Sequence, residues 1–139
     1  MTSGACSRFI APPIPWLQPR ELASVHALGP GLDHLQLQRG LQALVQLPQV
    51  QALVAFGSRA RGDALADSDL DLAVICREAS LQPACKTERS FQYRQALGSI
   101  GCGIDLLVVG ADDAQHLSGS RWHVMGDVAR HGQVLYVAK

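Results

Sequence analysis

The sequence predicts an α/β (α+β) domain: a small mixed β-sheet with helices packed on it. Two observations carry that expectation. Short runs rich in Val, Leu and Ile at 50–56, 70–75, 104–109 and 134–137 alternate with segments of helical character. Apolar residues make up 47% of the 139-residue chain and aromatic ones only 5%, so one core of Leu, Val and Ala is expected.

Taken in order, residues 1–32 stand apart as a proline-rich N-terminal arm, followed by a domain over 33–139. Pro12, Pro13, Pro15 and Pro19 surround Ile14, Trp16 and Leu17, and Gly29-Pro30-Gly31 closes the stretch. Proline fixes φ and removes a donor, so irregular structure is expected, with a short helix near 21–28. Trp16 should dock, by preference on the domain's own surface. Asp33 is placed to cap a helix reaching residue 45, whose Leu37, Leu41, Leu44 and Val45 share one face. Leu47-Pro48 ends it. After the strand at 50–56, Gly57 opens a turn or short helix over 58–66. The strand at 70–75, a helix over 86–97 and the strand at 104–109 follow. Asp112 should cap a short helix, and another is expected over 121–130, interrupted by Gly126 and stopped by Gly132 before the last strand.

Charge narrows the function classes. Twelve basic and twelve acidic residues cancel when histidine is neutral, so no global field draws nucleic acid or an anionic membrane. No run of eighteen apolar residues occurs, and no membrane association is expected. Cys6, Cys76, Cys85 and Cys102 form no CxxC pair or zinc spacing and read as reduced thiols of a cytoplasmic protein. Ser3-Gly4-Ala5-Cys6 lacks the apolar stretch a lipoprotein leader needs. His116, His123 and His131 have no paired metal spacing and read as surface or helix-end residues.

The chemistry lies between Val54 and Val74. Side chains of a strand alternate faces, so Asp69 and Asp71 point one way while Leu70, Leu72 and Val74 point the other. Two carboxylates about 7 Å apart repel unless a cation or water intervenes. Oxygen ligands that leave positions open suit Mg²⁺, which retains water and takes substrate phosphates. A solvated turn would account for Asp67 and Ser68 but not for Asp71, which sits where strands disfavour Asp. Asp105, inside the next apolar run, repeats the anomaly. If its strand neighbours that of Asp71, it can reach the same metal or act as a base.

Gly57 follows a strand directly and precedes a helix start, a setting in which backbone N–H groups can approach a phosphate. Ser58 can donate to a phosphate oxygen, and Arg59 and Arg61 can neutralise further charge. Gly-Ser alone is ordinary loop punctuation, and two arginines alone suit a solvated face. Their adjacency to the carboxylate pair is what points to a metal–nucleotide grip.

Gly57-Ser58, ten residues and then Asp69-Leu70-Asp71-Leu72 resembles the signature of the DNA polymerase β-type nucleotidyltransferases. The fuller Gly-Ser-Arg-Ala-Arg-Gly-Asp-Ala-x-x-Asp-Ser-Asp-Leu-Asp-Leu is similar to that of the minimal nucleotidyltransferase (MNT) proteins that pair with HEPN proteins in toxin–antitoxin modules. The resemblance covers about residues 33–136 and includes Asp105-Leu-Leu-Val-Val and Arg130-His-Gly-Gln-Val-Leu-Tyr136. It implies a polymerase β-like fold, two Mg²⁺ ions held by Asp69, Asp71 and Asp105, and a triphosphate held by Gly57 and Ser58. It also implies ATP as donor, AMP transfer to a hydroxyl, and a HEPN toxin as acceptor and partner. Two alternatives stay open: an antitoxin acting by contact alone, and a small-molecule (aminoglycoside-type) transferase, which the short chain disfavours for want of an acceptor pocket. A homo-oligomer also stays open. The prolines of the first thirty residues, Gly126 and the Arg130-His131-Gly132 ending depart from the family pattern.

Overall fold

The computed structural model describes residues 13–139; Cys6 and its neighbours lie outside them. The order of elements is a 3-10 turn His26–Leu28, α1 His34–Val45, β1 Val50–Phe56, α2 Gly57–Arg61, β2 Leu70–Cys76, α3 Pro83–Leu97, β3 Ile104–Gly110, α4 Ala111–Ser118, α5 Val124–His131 and β4 Gln133–Val137. The strands form one mixed sheet in the order β3-β2-β1-β4. β1 runs antiparallel to both β2 and β4, and β2 runs parallel to β3.

Alternation along the strands divides the core between the two sheet faces. Leu70, Leu72 and Val74 turn with Leu53 and Ala55 toward Leu37, Leu41 and Leu44 of α1 and Tyr93 and Leu97 of α3. Ala73 and Ile75 turn with Val54 and Phe56 toward Ala114 of α4 and Met125 and Val128 of α5. The sheet is therefore sandwiched between helical layers, which is why its central strands carry few polar residues. Asp33 accepts a hydrogen bond from the Gln36 amide at 3.1 Å, capping α1 as expected.

Several boundaries differ from the sequence expectation: α2 ends at Arg61 rather than at 66, and α3 starts at Pro83 rather than at 86. The 21–28 helix shrinks to the 3-10 turn over its last residues. Gly110 precedes α4, and Asp112 falls inside its first turn rather than capping it. α5 begins only at Val124: the Ser120 hydroxyl accepts from the Trp122 and His123 amides, and His123 Nδ1 caps the helix by accepting from Met125 N at 3.0 Å. Gly126 does not interrupt α5 but lets its backbone press against the Ser120 carbonyl, where a Cβ would collide.

The described part of the arm is structural. Trp16 is buried against the α4–α5 face, and Val25, Leu28 and Leu32 enter the α1–α3 face. Arg20 exchanges backbone hydrogen bonds with Val137 at 2.9 Å, and Ala23 N donates to Leu135 O at 2.8 Å, so the arm borders β4. No helix among the described residues is long and apolar enough to cross a membrane.

Candidate functional site

Register assembles the site. Asp71 stands opposite Phe56 of β1 and beside Asp105 of β3. The parallel pairing of β2 with β3 thus sets two carboxylates side by side, and Asp69, two residues earlier, shares the face of Asp71. Because Phe56 is the last residue of β1, Gly57 emerges next to Asp71. Gly57 has φ +71°, and a Cβ on it would overlap Asp71 Oδ2. Gly103, just before β3, leaves room for the Asp69 carboxylate in the same way. Two glycines thus vacate the space that two acids occupy.

The electrostatics agree with that geometry. Partial burial pushes the Asp71 carboxyl above its ordinary value of 3.8, and the charges of Asp105, Asp69 and Asp127 push it further; Arg61 opposes them. Asp127 is a residue that sequence reasoning missed. It lies in the first turn of α5, and α5 packs against α2, so its approach to Asp71 is a tertiary fact without local signature.

The two arginines separate. Arg61 is exposed, 3.6 Å from Asp63, and its charge reaches Asp71. Arg59 is fully buried. Its Nη1 donates to Leu28 O at 2.9 Å and Pro30 O at 2.8 Å, while Nε and Nη2 donate to Ser68 O at 3.1 and 2.9 Å. The phosphate contact expected of Arg59 does not fit this burial. Instead its guanidinium ties Leu28 and Pro30 of the arm to Ser68, the residue immediately before Asp69. Ser58 is half-buried in the first turn of α2, beside Gly57.

An all-oxygen donor set with repelling charges fits a hard divalent cation such as Mg²⁺. Among the described residues no three His, Cys, Asp or Glu side chains converge tightly enough to hold a metal unaided. Asp69, Asp71 and Asp105 are thus not gathered into a three-ligand metal cluster. Two clefts lie apart from these acids, one against α3 and β3 and one beside residues 136–139.

The chain is similar to three solved structures. One is a toxin–antitoxin crystallised with AMP-PNP, at 22% identity over 72% of this chain and 73% of that one, with a TM-score of 0.48. A candidate nucleotidyltransferase from Sulfolobus solfataricus aligns at 16% identity over 73% and 83%, with a TM-score of 0.47. A tri-AMPylated Shewanella oneidensis HEPN toxin in complex with MNT antitoxin aligns at 20% identity over 74% and 73%, with a TM-score of 0.44. No curated protein matches the sequence. The family model for Polymerase beta, Nucleotidyltransferase matches residues 41–138, a span that includes Gly57, Asp69, Asp71 and Asp105. The chain belongs to the polymerase beta nucleotidyltransferase family.

Proposed function

We propose that the protein transfers a nucleoside monophosphate, AMP from ATP, to a hydroxyl on a partner protein of the HEPN toxin kind. The observation that carries the transfer reading is the shared face of Asp69, Asp71 and Asp105 beside Gly57. The choice of ATP and of a HEPN acceptor rests on the motif resemblance. Asp69 and Asp71 would hold two Mg²⁺ ions, with Asp105 completing the set. When bound, the ions supply charge for the attacking and leaving oxygens of an in-line displacement.

The chain's own residues position the reactants. Gly57 and Ser58 receive the triphosphate through backbone amides and a hydroxyl, and Arg61 adds a positive charge at the rim. The acceptor oxygen bonds to the α-phosphorus as the bond to the β-phosphate bridging oxygen breaks, and pyrophosphate leaves. The acceptor proton passes to the Asp105 carboxylate and then to water. Holding reactants in line accounts for most of what such a site must do.

The test incubates the protein with α-labelled ATP, Mg²⁺ and the HEPN-type partner, beside an Asp69→Asn/Asp71→Asn variant. Label on the partner from the wild type alone supports the transfer. Neutralisation of the partner by both proteins without any label would instead support an antitoxin acting by contact.

A further inference from the structure

The free edge of the sheet carries a feature that the nucleotide site does not use. β3 ends the order β3-β2-β1-β4, so among the described residues one of its sides has no strand neighbour. Gly103 O faces β2, where it accepts from Leu70 N at 2.8 Å. Successive peptide groups of a strand alternate in direction, so the N–H and C=O groups of Ile104, Leu106 and Val108 face the open side. Arg94 fits this alternation: its Nη1 reaches Ile104 O from outside at 2.6 Å. Beside this edge, between β3 and α3, runs a cleft of about 510 Å³. Its apolar lining includes Leu106, Val108 and Phe91, and Phe91 is 65% exposed. Its charged lining is Lys86 and Arg94; no acidic side chain among the described residues joins them.

We propose that this cleft docks an extended segment of a partner protein in which acidic and apolar residues alternate. The segment pairs as an added strand with the peptide groups of Leu106 and Val108, the usual way an open sheet edge recruits a peptide. Its apolar side chains cover Phe91, and its carboxylates face Lys86 and Arg94. A second copy of this chain fits worse, because two identical edges would bring like charges together. Asp105 lies on the same strand, one residue before Leu106. A segment seated here would therefore lead its own protein to the carboxylate cluster and present the acceptor hydroxyl there. That consequence rests on the transferase reading; the docking does not.

The experiment measures binding of fluorescein-labelled octapeptides to the full chain without nucleotide or metal, so failed transfer chemistry leaves its result intact. One peptide alternates Glu with Val. A second replaces Glu by Lys, and a third places Pro at its centre to remove strand pairing. The Glu–Val peptide is expected to bind at least tenfold more tightly than either control and to slow amide exchange at Leu106 and Val108. Lys86→Glu and, separately, Phe91→Asp should each weaken it at least fivefold, with the folded state verified by circular dichroism. Equal binding of the Glu and Lys peptides, absence of Glu–Val binding, or retention of binding by both variants would overturn the proposal.

Discussion

At Asp71 a carboxylate is held where its neighbours oppose its charge. Its proton is bound more tightly in the folded state than in the unfolded one. Its contribution to stability is therefore present below the ordinary value of 3.8 and is lost as pH rises through the raised folded value. In metal-free protein, Asp71→Asn is expected to raise the melting temperature at neutral pH and to flatten the loss of stability above pH 4. Activity should move the opposite way, falling at least about 100-fold, because the lost oxygen ligand served the transition state. Thermal melts across pH beside pyrophosphate-release assays check both. The two glycines offer a finer comparison. Gly57→Ala forces a side chain into positive φ, costing about 1–2 kcal/mol, and also displaces the Asp71 carboxylate. Gly103→Ala has no such backbone strain and displaces the Asp69 carboxylate alone. The expected outcome is lost activity in both, with a clear fall in stability only for Gly57→Ala.

Among the elements, α2 shows how one short segment serves two ends. Arg59 points inward to the carbonyls of Leu28, Pro30 and Ser68, while Arg61 stays at the rim. Arg59→Ala should destabilise by roughly 3 kcal/mol or more in urea titration, since it empties a buried volume and strands several carbonyls. Arg61→Ala should leave stability within about 0.5 kcal/mol and weaken nucleotide binding. Spacing alone could not separate these residues, because two of Arg59's acceptors lie 31 and 29 positions earlier in the chain. Strands were far more legible. Apolar runs bounded by Gly, Pro and Asp located β1, β2 and β3 to within a residue, since both sheet faces are covered and demand such runs. The start of α5 was not legible, because Ser120 and an unusual His123 cap divert the chain first. Asp127 was hidden for a related reason: only the packing of α5 on α2 brings it near Asp71.

Across the whole molecule, the proline-rich arm and the domain share one body. From Trp16 to Leu32 the arm supplies buried residues to both core faces and hydrogen bonds to β4. Its proline content correctly signalled irregular backbone but could not signal where that backbone lies, because the partners of Trp16 and Leu28 are distant in sequence. Trp16→Ala is expected to cost about 3–5 kcal/mol. Removing residues 1–32 should abolish cooperative urea unfolding, since Arg59 would also lose two of its acceptors. A truncated chain that still melted in one sharp transition would show the arm to be dispensable. The central claim is that the carboxylates beside Gly57 and a divalent cation grip a nucleotide together. Calorimetric titration of ATP in Mg²⁺ tests it most directly, with wild type set against Asp69→Asn/Asp71→Asn and against excess EDTA. The account predicts saturable binding at one site per chain, lost in the double variant and in EDTA; equal affinity in all three would contradict it.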